Sequence, residues 1–261
     1  MPQKTLLRYC GGKSRASRII ADYFPFHLKE LCSPFFGGGG VEFELASRGV
    51  KIWGYDNFHC LVLFWKTVKN EPEMLVRTIE MFYPLSGPED FYSFQKKLIE
   101  FEEKQNHTIM TATLFFILNR CSFSGTTLSG GASTGHPRFT RNSIEKIRSF
   151  DMRNVSVEKM DFVDSIPLHG DKWLYCDPPY ALKKSNLYGI KGNLHKDFDH
   201  QKLNQLLLTR DNWILSYNDC EFVRDMYGSC KILTPEWKYG MSKNKTSKEV
   251  LIMPERQWRC L

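Results

Sequence analysis

Four consecutive glycines, Gly37 to Gly40, constrain this chain more than any other feature, because of what flanks them. A short apolar segment from Leu28 leads into them, and Val41-Glu-Phe-Glu-Leu-Ala46 follows with a helical pattern that Gly49 ends. Lys51-Ile-Trp-Gly-Tyr55 then reads as a strand finishing at Asp56. Strand, glycine turn, helix and strand make the start of a βαβ unit, in which side-chain-free backbone lets a ligand approach the helix N-terminus. A carboxylate about twenty residues beyond such glycines, at the end of the next strand, can accept both hydroxyls of a ribose. From these two features alone, an adenosine-containing ligand and a plain turn with a solvated Asp are both open.

The α/β texture resumes late in the chain. Lys172-Trp-Leu-Tyr-Cys176, Trp213 to Ser216 and Glu249-Val-Leu-Ile-Met253 read as strands, and Phe198 to Leu208 and Glu221 to Met226 as helices. Strands alternating with helices predict a mostly parallel sheet. Between the two α/β stretches, apolar residues recur at three and four positions (Leu61, Phe64, Trp65, Val68, then Phe91, Phe94, Leu98, Phe101), predicting amphipathic helices broken near Pro72, Pro84 and Pro88. From Asn119 to Arg148 the composition turns to Ser, Thr, Gly and Arg, with Glu145 the single acid, and a polar stretch of that length is usually disordered or functional. The expected layout is therefore a helical, loop-containing insertion in an α/β sheet domain.

Composition excludes several classes. The apolar runs Cys60 to Trp65 and Leu114 to Leu118 fall far short of the roughly 20 residues that span a bilayer. Met1 to Arg18 holds no apolar stretch suited to export, so the chain is expected to stay inside the cell. The eight cysteines (10, 32, 60, 121, 176, 220, 230, 260) include no CxxC pair, which argues against zinc or a disulfide framework and for small buried hydrophobes. The net charge of +7 suits a polyanionic partner without requiring one.

Asp177-Pro178-Pro179-Tyr180 follows the strand that ends at Cys176 and is the most specific signal in the chain. Two prolines remove two N–H donors and hold the backbone extended, so the Asp177 carboxylate and the Pro178 carbonyl can both face a pocket as acceptors. Such a pair suits an exocyclic amino group, whose lone pair is delocalised into its ring. Acceptors that hold its protons favour the tetrahedral geometry in which the lone pair can attack. Tyr180 offers a flat face for a base to stack on. A Pro-Pro turn after a core strand is the bland alternative.

Together these residues resemble the amino-methyltransferases that use S-adenosylmethionine, and among them the Dam-type, D12 class, alpha-group DNA adenine-N6 methyltransferases. Tyr9-Cys-Gly-Gly-Lys13 resembles the family's N-terminal cofactor motif, and Pro34-Phe-Phe-Gly-Gly-Gly-Gly-Val41 its glycine motif, with Asp56 in the place of the ribose-binding acid. Leu118-Asn-Arg120 through Phe123-Ser-Gly125 resembles the start of the target-recognition segment, and Asp177-Pro-Pro-Tyr180 the catalytic tetrapeptide. The order of these motifs is that of the alpha group.

The resemblance implies a Rossmann-like methyltransferase fold, with residues 1–57 and 150–261 as the catalytic domain and 58–149 as a target-recognition subdomain. It implies an enzyme that moves a methyl group from S-adenosylmethionine to N6 of a flipped-out adenine in a short site of double-stranded DNA, leaving S-adenosylhomocysteine. No metal or membrane takes part, and the protein works wherever the DNA is. Tyr9, Lys13, Phe36, Gly37, Gly38, Gly39, Asp56 and Asp177 would hold the cofactor, and Asp177, Pro178, Pro179 and Tyr180 would act on the base. Under this reading Asn119, Arg120, Ser124, Arg138 and Arg141 are candidates for DNA contacts, Phe123 for a wedge in the space the flipped base leaves, and Lys243 and Lys245 for a phosphate clamp. Ser33 departs from the pattern, because the family usually has an acid there to partner the cofactor's ammonium; Glu30 and Asp177 are the carboxylates expected to compensate. Another amino acceptor, cytosine N4 or RNA adenine, and a catalytically silent DNA-binding relative are the alternatives.

Overall fold

The computed structural model describes residues 3–9, 11–133, 135–181, 190, 198–235 and 249–258. Its core is a seven-stranded sheet of β1 (Glu30–Ser33), β2 (Lys51–Asp56), β3 (Val155–Lys159), β4 (Trp173–Cys176), β5 (Trp213–Asn218), β6 (Lys231–Leu233) and β7 (Glu249–Met253), in the order β3-β2-β1-β4-β5-β7-β6. The first five strands are parallel and β7 runs antiparallel to both its neighbours. From β1 the chain builds outward to β2 and β3, then returns to set β4 on the other side of β1. A ligand crevice opens at such a reversal, beyond the C-terminal ends of the strands. The turns after β1 and β4 are therefore neighbours although about 140 residues separate them.

Both faces of the sheet are covered, so its central strands are continuously apolar. All six positions of β5 and all five of β7 are buried. Alternate residues of each strand serve opposite cores, as a period of two requires. Leu31, Ile52, Tyr175, Ile214 and Leu251 face one side, and Cys32, Leu174, Leu215 and Ile252 the other. Cys32, Cys60, Cys121 and Cys176 are free thiols filling core volume, as expected; Cys220 and Cys230 are only half-buried.

On the first face lie α1 (Ser17–Ala21), α2 (Gly40–Ser47) and a helical block of α3 (His59–Asn70), α4 (Pro72–Glu80), α5 (Pro88–Glu103), α6 (Ile109–Cys121) and α7 (Arg141–Glu145). Pro72 and Pro88 each occupy the first turn of a helix, where their missing N–H costs nothing, so two of the three predicted breaks are helix starts, and Pro84 lies in the connection between α4 and α5. Helix α3 packs on β2 and β3 as well as on α6, and is the crossover that a parallel β2–β3 pair needs. The block thus shares one continuous core with the sheet face. On the second face, α8 (Phe162–Leu168), α9 (His200–Leu208) and α10 (Glu221–Met226) contribute Phe162, Ile166, Leu203, Leu207 and Val223; α11 (Glu255–Trp258) follows β7.

Strands β3 and β6 and helices α1, α7, α8 and α11 have no counterpart among the predicted elements. β3 and β6 are the two edge strands, short and partly exposed, with weak apolar patterning. The seventh strand's reversed direction also carries no local signal, since a buried strand reads alike in either orientation.

Candidate active site

A cavity of about 1030 Å³ lies at the β1/β4 reversal, lined from the first strand's side by Phe35 to Glu42, from β2 by Asp56 and Asn57, and from β4 by Asp177 and Pro179. Tyr9 and the segment from Gly11 to Ala16 close another side. Its volume is at the upper end of ordinary small-molecule sites.

The glycine turn is shaped by close approach. Gly37 has φ of +49°, and a Cβ there would come within 2.9 Å of the Tyr9 ring, so the Tyr9 side chain lies directly on the turn. Asp56 braces it from β2. One carboxylate oxygen accepts the Gly37 N–H at 2.9 Å and the other the Phe58 N–H at 3.0 Å. Burial still pushes the Asp56 carboxyl up to about 6, against the pull of those two bonds. Phe36 is buried beneath the turn, and Trp65 of α3 donates its indole N–H to the Gly37 carbonyl at 3.0 Å.

The most charged corner joins residues from both ends of the chain. Lys13 is buried, and its Nζ donates to both Asp177 oxygens at 2.7 and 2.9 Å, to the Tyr180 hydroxyl at 2.7 Å and to the Gly11 carbonyl at 2.9 Å. Glu249, at the head of β7, stands 3.6 Å from the same Nζ and accepts the Tyr180 hydroxyl proton. Burial pushes the Asp177 carboxyl up to about 6, with Lys13 pulling it down and Glu249 pushing it up. Asn218, at the end of β5, accepts the Ala181 N–H at 2.9 Å and donates to the Ala181 carbonyl, which fixes the backbone just after the tetrapeptide. Pro179 and Asp177 stand in the cavity wall; Pro178 is buried outside it, and Tyr180 lies with its ring 6.1 Å from Tyr217.

Toward the other end, Phe35, Phe162 and Phe198 form a cluster with ring centroids 5.1 to 5.5 Å apart, and all three line the cavity. Asp161 beside them caps α8 through the Val163 N–H and accepts from Asn57 at 2.9 Å. Sequence reasoning missed Glu42, Glu249, Asn218, Asp161 and this aromatic cluster. An acid opening an otherwise apolar strand at Glu249, and one inside an apolar helix at Glu42, were the available signals. Glu30 does not compensate for Ser33. It accepts the Trp53 indole N–H at 3.0 Å and pairs with Lys172 at 3.3 Å at the start of β1, the edge of the sheet away from the glycine turn.

The predicted DNA-contacting residues divide. Phe123 is 66% exposed on a single helical turn (Phe123–Gly125) after α6, and it and Ser124 border the cavity. Arg138 and Arg141 are exposed, the latter with its guanidinium 5.3 Å from the Tyr83 ring centre. Asn119 corrects the expectation of direct contact. It is fully buried, its Oδ1 accepting from the Arg8 N–H at 2.9 Å and its Nδ2 donating to the Arg8 carbonyl at 2.8 Å, so it pins the turn to the N-terminal segment. Arg120 is half-buried and donates to the Arg138 and Leu6 carbonyls; burial, then the charges of Arg8 and Arg138, push its guanidinium down to about 10. Lys243 and Lys245 lie outside the described residues.

Gly125 makes this pinning possible. Its φ is +77°, and a Cβ there would fall 2.0 Å from the Arg8 carbonyl oxygen. Gly125→Ala is expected to lower stability by about 2–3 kcal/mol, because the strained φ and the clash add. A urea midpoint equal to that of the wild type would show that the turn is free to lift.

A mostly parallel sheet with this strand reversal, a glycine turn at the cavity and Asp-Pro-Pro-Tyr just after the adjoining strand define a Rossmann-like methyltransferase. The family model described as D12 class N6 adenine-specific DNA methyltransferase matches residues 9–241, and the chain belongs to that family. The chain is also similar to the DNA adenine methylase of Haemophilus influenzae, with 22% identity over 267 residues, covering 94% of this chain and 90% of that protein. Its reaction is methylation of adenine N6 in DNA, which requires a methyl donor.

Proposed function

We propose that the donor is S-adenosylmethionine, bound in the cavity at the β1/β4 reversal, and that the acceptor is an adenine flipped out of duplex DNA in a short recognition site. The observation that carries this reading is the junction of the glycine turn with the Asp177 acceptors in one cavity. The residues fit such a cofactor. The turn at Gly37 to Gly39, with Tyr9 over it, leaves room for close approach, Asp56 at the end of β2 suits a ribose, and Phe35, Phe162 and Phe198 offer apolar faces to an adenine ring. When bound, that cofactor supplies an electrophilic methyl group on a sulfonium.

The chain's own residues do the rest. Asp177 holds the target amino group by accepting its N–H protons. In the structure Lys13 Nζ takes both of those acceptor atoms, so it marks the seat of an amino group, and an entering base shares or takes that seat while Lys13 keeps Gly11 and Tyr180 as acceptors. Tyr180, tied to Glu249, provides a stacking face. The proton that the amino nitrogen sheds after transfer has Asp177, raised to about 6, as an acceptor more basic than a free carboxylate. Pro178 and Pro179 keep this backbone extended. Residues 58–149 act as the recognition part, with exposed Phe123 as the wedge and Ser124, Arg138 and Arg141 toward DNA, and Lys243 and Lys245, outside the described residues, are assigned to phosphate contact. Asn119 and Arg120 act by holding that surface in place.

The test is incubation of the purified protein with labelled S-adenosylmethionine and unmethylated genomic DNA, followed by nucleoside analysis and site mapping. N6-methyladenine confined to one short sequence is expected. Absence of label from DNA would sink the reading, and label in RNA alone would move the acceptor.

A further inference from the structure

Carboxylates crowd this cavity, and most are held by the N–H groups of a turn or a helix start, or by a cation. Asp56 carries two backbone N–H groups, Asp161 caps α8 and takes Asn57, and Asp177 holds Lys13. Glu42 differs. It sits in the first turn of α2, lines the cavity and is only 2% exposed. Its partners are the Ser33 hydroxyl, donating to Oε1 at 2.6 Å, and its own backbone N–H. Among the described residues no Lys, Arg or His nitrogen lies within 4.0 Å of its carboxylate; the Lys13 Nζ is spent on Asp177, Tyr180 and Gly11, with Glu249 next. Burial pushes the Glu42 carboxyl up to about 7; Ser33 and its own N–H pull it down, and the opposing charges of Asp177, which raises it, and Lys13, which lowers it, act from further off. A buried carboxylate beside a second one, with no cation of its own, is costly unless a cation arrives with the ligand.

Resting on the proposed cofactor reading, we infer that Glu42, oriented by Ser33, is the residue that takes the α-ammonium of the cofactor's amino-acid end. The position is apt. Glu42 follows directly on the glycine turn and lies near enough to Asp177 and Lys13 to feel both charges, and the N-terminus of the eight-residue helix α2 behind it favours a carboxylate. Ser33, which ends β1, contributes its hydroxyl instead of a charge, so strand and helix together supply the acceptor. It follows that the site distinguishes ligands by their amino group at Glu42.

The test uses two ligands and calorimetric titration of the full chain. The ligands are S-adenosylhomocysteine and its analogue lacking only the α-amino group, 5′-deoxy-5′-(3-carboxypropylthio)adenosine. Wild type is expected to bind the former at least about 30-fold more tightly. Glu42→Gln, which keeps an acceptor for Ser33, should lose at least about 30-fold on S-adenosylhomocysteine while its affinity for the deaminated analogue stays unchanged. Equal losses on both ligands would make Glu42 merely structural and overturn the inference. So would equal wild-type affinities for the two, a result that stands even if the variant fails to fold. Wild type binding neither ligand would instead refute the cofactor reading itself, and the inference with it.

Discussion

Asp177→Asn is expected to lower the rate of methyl transfer at least about a thousandfold while DNA affinity stays within a few-fold of wild type. Asp177 presents two acceptor oxygens to one point, now filled by Lys13 Nζ at 2.7 and 2.9 Å. An amide keeps the volume but turns one acceptor into a donor that faces the Lys13 Nζ and the incoming amino protons. The loss therefore falls on the transition state, where the amino group becomes tetrahedral, and should appear in kcat more than in KM. The DNA contacts proposed above lie on a different surface, around the exposed Phe123, Arg138 and Arg141, and the substitution leaves that surface alone. Single-turnover rates with a duplex substrate, beside a binding isotherm on the same duplex, check both halves. Wild-type turnover in this variant would remove Asp177 from the reaction.

Acid should silence the enzyme while stabilising its empty fold, a divergence that follows from three raised carboxyls. Asp177 and Asp56 are pushed to about 6 and Glu42 to about 7, in each case chiefly by burial. On the proposed mechanism transfer needs Asp177 ionised, so kcat/KM should fall about tenfold per pH unit below about 6, and more steeply if protonation of Glu42 also weakens the proposed cofactor. Stability runs the other way. Each of these groups holds a proton in the folded state at a pH where the unfolded chain, near its ordinary value, has already released it. The folded state thus binds more protons between about 4 and 7, so these groups make stability fall as pH rises through that window and level off above it. For Glu42, moved from 4.5 to about 7, the effect is on the order of 3 kcal/mol in the ligand-free protein. Urea unfolding of wild type and Glu42→Gln at pH 5 and pH 8 isolates it. The variant should be the more stable at pH 8, with the gap closing toward pH 5; a gap independent of pH would assign the effect to packing.

How far the site could be read from residues depends on the range of the forces involved. The helix breaks near Pro72 and Pro88 were legible because proline's constraints act within one turn, and the structure makes each proline the start of the next helix. The edge strands β3 and β6 were not, since a short, half-exposed strand has little apolar pattern. Asn119 in a polar stretch looked like a DNA contact, and only its burial against Arg8 shows that it holds the turn. Glu42 looked like one acid on a helix until Ser33, nine residues earlier, was found bonded to it.

By itself the sequence determined the glycine turn, the carboxylate at the end of β2, the Asp-Pro-Pro-Tyr segment and their order along the chain. Each of these is specified by backbone freedom, missing N–H groups or side-chain chemistry over a few neighbouring residues. Only the tertiary structure decided that Lys13 and Asp177, 164 positions apart, share a hydrogen bond, that Glu249 joins them from the antiparallel strand, and that Glu42 faces the cavity paired, among the described residues, with the Ser33 hydroxyl and not with a cation. Those meetings depend on which strands pair in the sheet, and strand pairing is settled by burial on two faces at once, a property of the whole chain that no local stretch records.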